Sequence, residues 1–422
     1  MIQRLARYVS IKSLSREEGA LADLVAGDLC AAGLRVQRDG ANVWAEIGDA
    51  PRPRLLFNSH LDTVPPGAGW TADPWTPRRV NGRLIALGAN DAKGCVVAML
   101  EAALATQGDL DGGGALNGTL VLALTAEEEI SGQGLETILE RLAPLDGALV
   151  GEPTALVPMT AQRGLLTLRG VAHGRSAHPA NTPPETAENA VQLAAREVRR
   201  LADFDWGPEH PLLGRPHGNV TRIAGGVANN VIPDSCEFVI DVRTTPAEPH
   251  AALTERLRAF LDCELLAHSD RLGPIETPAD TGIVQAVLRA APGARPQGSP
   301  AMSDMVFLRG IPAVKIGPGD SPRSHTADEY LLESELHAGA ALYQRIAREF
   351  FSAASASERN RAASASERNG TASASERQPA SDGSASGPAP QTPAPQSRQL
   401  QRRQRPSDTS TCERPAPPEV PQ

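Results

Sequence analysis

Short apolar runs alternate with helical patterns along the first part of the chain. The apolar runs at 55–57, 119–124 and 148–150 have the length of buried strands. Between the first two, the segment 92–106 carries apolar residues at helical spacing, which suits a helix with one face packed on a sheet. The alternation predicts an α/β fold with a mostly parallel central sheet flanked by helices.

The pattern changes between residues 164 and 268 and then returns. This middle part predicts an inserted α+β domain, with strands at 165–171, near Val220 and at 236–242, and helices at 185–200 and 249–261. The earlier alternation resumes with a helix at 283–290, a strand at 313–316 and a closing helix at 332–350. We therefore expect one domain built from 1–163 and 269–351.

The composition changes after Phe351. No aromatic residue follows it, and Leu400 and Val420 are the last large aliphatic residues. The segment SASER begins at Ser355 and recurs twice, and Pro, Gln and Arg dominate what comes after it. Such sequence cannot build a core, so we predict a disordered, low-complexity tail over 352–422.

Composition and charge exclude several classes of protein. A hydrophobic content of 41% allows a large core, and a net charge of -9 argues against a nucleic-acid-binding protein. The five cysteines show no CxxC spacing, which favours a reducing compartment over a disulfide framework. The amino-terminal sequence has no apolar core of a signal peptide, and no long apolar run suits a membrane span. We expect a cytoplasmic protein without a membrane partner.

Histidines and acidic residues follow the predicted strands of the first domain. The groups in question are His60 with Asp62, Glu127 to Glu129, Glu152 and His325. In open α/β sheets, ligands bind beyond the carboxyl ends of the strands, so we expect these groups to converge. Carboxylates mixed with imidazole suit zinc, cobalt or manganese, and two histidines with three carboxylates can hold two ions.

Each group also has an ordinary structural interpretation. The pair His60 and Asp62 could be a metal ligand with a supporting carboxylate, or a strand-end histidine beside an Asx turn. Asp91 begins a predicted helix and could simply cap it. However, the tight turn formed by Gly88 and the Lys-Gly pair after Asp91 favours a carboxylate presented to the crevice, where it would bridge two ions.

The remaining groups are ambiguous one at a time. Three consecutive acids would repel one another unless cations neutralise them, although a solvated acidic turn is the alternative. Glu152 could simply precede a proline, and His325 could lie on the surface beside a helix. Their joint occurrence at successive strand ends favours a two-metal site.

Five stretches carry a family resemblance: NSHLDTVP, LGANDAKG, TAEEEISG, VGEPT and RSHTADEY. Over roughly residues 1–350 the chain resembles the M20 metallopeptidase family, in its acetylornithine deacetylase and succinyl-diaminopimelate desuccinylase branch. The resemblance implies a general base at Glu128, supported by Asp62 beside the first histidine. It implies metal ligands at His60, Asp91, Glu129, Glu152 and His325, with Asp91 bridging. Because TAEEE stands where TADEE is usual, the base role could instead fall on Glu127.

The same resemblance assigns roles in the inserted domain. It implies a lid that forms a homodimer and lends His178 to the neighbouring subunit's site. Arg163, Asn230 and Arg243 match lid positions that contact the substrate carboxylate, and an arginine fork suits that task. A surface histidine and structural ion pairs are the alternatives for these residues.

The resemblance implies a metal-dependent hydrolase of linear amide bonds with two divalent ions, zinc first and cobalt or manganese as alternatives. We expect it to convert N2-acetylornithine to ornithine and acetate in arginine biosynthesis. The alternatives are a succinyl-diaminopimelate desuccinylase, an acetylcitrulline or acyl-lysine deacylase, and an M20 dipeptidase or aminoacylase. Outside this class, a noncatalytic binding protein would be expected to lose the base or a ligand, and an interaction protein would work through 355–422.

Overall fold

A computed structural model of the chain describes residues 1–130 and 132–372, with 354–372 as backbone only. Its helices are α1 (Ile2–Val9), α2 (Gly19–Ala31), α3 (Lys93–Asp111), α4 (Gln133–Leu142), α5 (Ala190–Arg200), α6 (His250–Phe260), α7 (Gly282–Ala290) and α8 (Glu333–Ala372). Its strands are β1 (Val36–Asp39), β2 (Asn42–Ile47), β3 (Arg54–His60), β4 (Arg78–Val80), β5 (Arg83–Ile85), β6 (Thr119–Thr125), β7 (Gly147–Val150), β8 (Met159–Gln162), β9 (Gly164–His173), β10 (His217–Gly225), β11 (Ser235–Thr244), β12 (Glu264–Leu272), β13 (Ile275–Glu276), β14 (Gln297–Ser299), β15 (Ala313–Lys315) and β16 (Tyr330–Leu332).

The largest sheet has the strand order β1-β2-β6-β3-β7-β15-β8-β13, with β14 beside β8. Its four middle strands, β6, β3, β7 and β15, run parallel, and antiparallel pairs lie towards its edges. The predicted α/β fold with a largely parallel central sheet is confirmed. Because the middle strands are parallel, their carboxyl ends meet at one edge, and that edge carries the residues of the site.

Two cores cover the faces of this sheet, because successive side chains of a strand point to opposite faces. Phe57 of β3 packs on the face covered by α3, α7 and α8, while its neighbour Leu56 packs on the other face with α4. A short 3-10 turn, Asp304–Phe307, completes the second face through Met305. The middle strands are therefore buried on both sides, which agrees with their continuous apolar sequence.

The inserted segment forms a separate antiparallel sheet in the order β10-β11-β9-β12, with its own core that includes residues of α5 and α6. Phe238 and Ile240 of β11 lie in that core. The fourth strand, β12, was not predicted because its sequence, ELLAHSDRL, mixes apolar and polar residues without a clean alternation. It runs to Leu272, four residues beyond the expected end of the lid.

Two features concern the carboxyl-terminal part. Helix α8 does not end near Phe350 but continues to Ala372, into the segment that the sequence places in the tail. Alanine, glutamate and arginine are strong helix formers, which accounts for the extension. The rest of the predicted disordered tail, 373–422, lies outside the described residues.

Among the helices of the described part, none is both long enough and apolar enough to cross a membrane.

Candidate metal centre

His60 ends strand β3 and is almost fully buried, with 1% of its side chain exposed. Its Nδ1 lies 3.1 Å from the backbone carbonyl oxygen of Asp62 and 3.4 Å from that residue's Oδ1. Among the described residues, its Nε2 has no hydrogen-bond partner, although Asp91 Oδ1 is 3.3 Å away and Glu152 Oε1 is 3.8 Å away. Buried polar atoms are normally satisfied, so a nitrogen aimed at two carboxylates fits a cation between them.

Asp62 supports more than the histidine. Its carboxylate accepts hydrogen bonds from Ser15 Oγ at 2.7 Å and from the backbone N–H groups of Glu128 and Glu129 at 3.1 Å each. Burial raises the pKa of Asp62, but the hydrogen bond and charge of His60, together with the hydrogen bonds from Ser15 and the backbone of Glu129, outweigh it and leave the pKa below its ordinary value. An ionised Asp62 therefore joins the end of β3 to the loop that follows β6.

The three consecutive acids differ in their surroundings. Glu127 has a left-handed backbone, with φ 58°, and its carboxylate pairs with Arg16 at 3.2 Å. Glu128 instead lies with His60 and Glu152 in a group of side chains that could hold a metal ion. Burial, and then the charge of Glu152, raises the pKa of Glu128 well above its ordinary value. The backbone turn thus separates an acid that pairs with arginine from one that faces the cleft.

Asp91 lies between the two histidines. Its Oδ1 faces His60, while its Oδ2 is 3.7 Å from Nε2 of His325. The same Nε2 is 3.0 Å from Glu129 Oε1, and this hydrogen bond raises the pKa of His325 to about 9. One carboxylate that presents a different oxygen to each histidine has the arrangement of a bridging ligand.

The donor set fits divalent cations. Ligand atoms of His60, Asp91 and Glu129 lie within 4.8 Å of one another, and so do those of His60, Glu128 and Glu152. Burial, and then the charge of Asp91, raises the pKa of Glu152 to about 8. So many carboxylates at one place repel one another unless cations neutralise them. Imidazole and carboxylate together suit zinc and its neighbours in the transition series.

Lys315, Asp304 and Glu329 are buried charged residues near the site that were not predicted from the sequence. Lys315 ends β15, where burial lowers its pKa, and its Nζ donates to the carbonyl of Ala301 at 3.0 Å. Burial raises the pKa of Asp304 to about 7, and Thr125 Oγ1 donates to its carboxylate at 2.9 Å. The sequence carried two signals for buried charges here: Lys315 interrupts the apolar run AVKI, and Asp304 lies in the segment MSDM.

The predicted lid residues stand apart from this cluster. His178 is exposed, and its Nδ1 accepts a hydrogen bond from the backbone N–H of Ala180 at 3.2 Å. Asn230 lies in an exposed turn. In the described part of the chain, no hydrogen bond or ion pair joins either of them to a predicted metal ligand. The fold of one chain thus brings together the predicted ligands, Asp62 and Glu128, but not these two residues.

The two predicted substrate arginines lie close to each other. Arg243 pairs with Asp241 through two contacts of 2.8 and 3.2 Å, which is the structural ion pair considered as its alternative. Arg163 donates to the backbone carbonyls of Leu213, Arg215 and Arg243, the last two at 3.0 and 3.4 Å. Burial, and then the charge of Arg243, lowers the pKa of Arg163. The junction of β8 and β9 therefore concentrates positive charge.

Comparison with known proteins matches residues 56–349 to the family described as Peptidase family M20/M25/M40. An acetylornithine deacetylase of Myxococcus xanthus is 31% identical over 326 residues, which cover 71% of this chain and 80% of that protein. A succinyl-diaminopimelate desuccinylase of Cereibacter sphaeroides is 31% identical over 379 residues, which cover 82% and 98%. Both relatives thus match over most of their length.

A solved structure supports the fold. A dinuclear metal-binding peptidase of the M20 family from Bacillus subtilis superposes with a TM-score of 0.64 at 17% identity, over 83% of this chain and 97% of that one. The predicted family resemblance is confirmed, and with it the class of enzyme, a metal-dependent hydrolase of amide bonds. The chain belongs to peptidase family M20/M25/M40.

Proposed function

We propose that this enzyme removes the acyl group from an N-acyl amino acid, with N2-acetylornithine as the substrate and ornithine and acetate as the products. Arginine biosynthesis would be the setting. The observation that carries the proposal is Asp91, which presents one oxygen to His60 and the other to His325. Similarity to an acetylornithine deacetylase and to a desuccinylase supports the substrate class, since both names describe removal of an acyl group from an amine.

Two ions, zinc in this proposal, would be held by the predicted ligands. His60 and Glu152 would hold one, Glu129 and His325 the other, and Asp91 would belong to both. When bound, two such ions polarise an amide carbonyl and lower the pKa of a water molecule. The chain's own contribution is orientation: Asp62 lies at the Nδ1 side of His60 and leaves Nε2 directed to the ligand position.

Glu128 would act as the general base. Its carboxylate takes a proton from the attacking water as the new C–O bond forms at the acyl carbon. The C–N bond then breaks, and the same proton passes to the departing amine. Burial favours the protonated form of Glu128, whereas neighbouring cations favour the ionised form that the first step needs. Glu127 is less suited to this role, because it pairs with Arg16.

The carboxylate of the substrate would bind near Arg163 and Arg243. Arg163 donates hydrogen bonds to backbone carbonyls. Arg243 is close enough for its charge to lower the pKa of Arg163. An anion placed there would relieve that repulsion and accept two hydrogen bonds from one planar fork. Asn230 is proposed as a further contact on the lid.

A homodimer through the lid would complete the site with His178. The edge strand β10 is exposed along most of its length, and Ile223 and Val227 near its end are 50% and 87% exposed. Exposed apolar residues on a free strand edge are typical of a surface that pairs with another chain. The exposed position of His178, apart from its own chain's ligands, suits a donor to the partner's site that stabilises the oxyanion.

The proposal is tested by hydrolysis of a substrate panel by the zinc-loaded protein. The panel comprises N2-acetylornithine, N-acetylcitrulline, an acetylated lysine, succinyl-diaminopimelate and two dipeptides, and release of the free amine is measured. We expect the highest kcat/KM for N2-acetylornithine. A higher value for another acyl amino acid would replace the substrate. Cleavage of dipeptides alone would overturn the deacylase proposal and favour the dipeptidase alternative.

A further inference from the structure

Two segments that carry predicted ligands hold each other through a buried acid. Glu329 follows His325 by four residues and is 1% exposed. Its Oε1 accepts hydrogen bonds from the backbone N–H groups of Asn90 at 2.8 Å and Asp91 at 2.9 Å. The segment with His325 therefore fixes the backbone from which the carboxylate of Asp91 projects.

Asn90, which precedes Asp91 and is fully buried, contacts the segment that carries His325. Its Oδ1 accepts a hydrogen bond from the backbone N–H of Asp320 at 2.9 Å. Its Nδ2 donates to the carbonyl of Asp320 and to Oγ of Ser324, each at 3.2 Å. We call the two side chains, Asn90 and Glu329, the clasp. Together they grip the chain on both sides of His325.

The turn that contains His325 lies between the contacts of Asn90 and Glu329, and its backbone is unusual. His325 and Asp328 adopt left-handed conformations, with φ 61° and 54°. Such conformations are uncommon for residues other than glycine and persist where surrounding contacts fix them. Asp328 is held by Thr71 and Arg78, whose Oγ1 and guanidinium each lie 2.9 Å from its Oδ1. The clasp supplies the contacts on the side that faces Asp91.

We propose that Asn90 and Glu329 are positioning residues that set the distance between Asp91 and His325, and with it the affinity for the ion on the His325 side. This inference rests on the proposed two-ion function. Glu329 would act through backbone amides: one of its oxygens is engaged with two N–H groups of the Asp91 segment. The His60 side would depend less on the clasp, because Asp62 supports His60 from a different segment.

The test is a calorimetric titration of zinc into the full-length protein after chelator treatment. The wild type should bind two ions per chain. Glu329→Ala should lose affinity for one ion by roughly 10–100-fold, the usual effect of removing a residue that orients a ligand, and keep the other ion. Glu329→Gln should restore the second ion, because its side-chain oxygen can still accept both amide hydrogen bonds. Asn90→Ala, which removes the other half of the clasp, should reproduce the selective loss.

Glu333→Ala is the matched control, because Glu333 lies four residues further along and pairs with Arg79 instead of the Asp91 segment. It should bind both ions as the wild type does. The clasp proposal would be overturned by wild-type affinities in Glu329→Ala and Asn90→Ala, or by an equal loss of both ions. If Glu329→Ala does not fold, Asn90→Ala and the Gln variant decide. A wild type that binds fewer than two ions would contradict the proposed function itself, and the clasp with it.

Discussion

The backbone N–H of Glu128 donates to Oδ1 of Asp62 at 3.1 Å, across 66 residues of sequence. The same carboxylate receives the N–H of Glu129 and the hydroxyl of Ser15 and lies beside Nδ1 of His60. The buried carboxylate of Asp62 thus contacts the proposed base, Glu128, and two proposed ligands, Glu129 and the ring of His60. Its loss should disturb binding of metal and turnover together.

Replacement of Asp62 by asparagine tests this connection. The amide NH2 group of Asp62→Asn cannot accept hydrogen bonds, so at least one of the three donors loses its acceptor. We expect a loss of roughly 10–100-fold in zinc affinity, with a matching loss of turnover at limiting zinc. Ser15→Ala is the milder control, since it removes one donor and leaves both amides in place. Zinc titration and kcat are measured for both variants. Equal zinc affinity and equal kcat in Asp62→Asn and Ser15→Ala would show that the hydrogen bonds from the two amides to Asp62 do not position the site.

The identity of the base is tested by two isosteric substitutions. Glu128→Gln should lower kcat by about 10²–10⁴-fold, because an amide cannot take the proton from water. Its zinc content, measured by mass spectrometry, should stay near that of the wild type. Glu127→Gln should lose the ion pair with Arg16 and keep most of its activity. The opposite result would move the base by one residue, to Glu127.

The role of His178 is tested by mixing inactive chains. His178→Ala should lose most of its turnover while it keeps its zinc. If His178 serves the partner's site, an exchanged mixture of His178→Ala and Glu128→Gln dimers should regain activity, because each mixed dimer contains one intact site. For random exchange, about a quarter of wild-type activity is expected, as follows from two-fold symmetry. No recovery in mixed dimers that have been shown to form would refute a role in trans.

A pH effect on stability is expected from Asp304. Its pKa is about 7 in the folded chain against 3.8 ordinarily, so unfolding releases a proton between about pH 4 and pH 7. The free energy of unfolding of the metal-free protein should therefore fall as the pH rises through this window. The contribution is at most roughly 1.4 kcal/mol per pH unit.

Asp304→Asn should remove this contribution and flatten the profile. Within the described part of the chain, Oδ1 of Asp304 and Oδ1 of Asn58 have no hydrogen-bond partner, so the new amide can donate to the neighbouring Asn58. Urea unfolding of chelator-treated protein at a series of pH values measures the effect. Parallel profiles for the two proteins would show that burial of this carboxyl does not control its protonation.

The sequence predicted the elements that depend on local pattern. The middle strands were recognisable because both of their faces are buried, which leaves apolar runs such as that of β6. Helix α5 was placed five residues too early, although Asn189, which caps it, was a readable signal: its Oδ1 accepts the N–H of Val191 at 3.0 Å. The pair of Asp241 and Arg243 was also readable, since residues two apart in a strand share a face.

Contacts between distant segments could not be predicted in the same way. Nothing local indicates that Asp62 accepts amides from the acidic run, or that Glu329 accepts those of Asn90 and Asp91. These hydrogen bonds join a side chain to backbone groups, which every residue possesses, so the receiving segment carries no distinctive side chain. Lys315 likewise contacts a segment that its own sequence does not indicate, since its Nζ donates to the backbone carbonyl of Ala301.

The most direct test of the account combines zinc content with turnover. Chelator-treated protein is titrated with zinc, and acetate release from N2-acetylornithine is followed at each step. We predict two ions per chain at saturation, no activity without metal, and full activity only when the ligand set is intact, with loss of bound zinc in His60→Ala and His325→Ala. Acetate release that persists without bound metal, or saturation at fewer than two bound ions per chain, would contradict a two-ion centre.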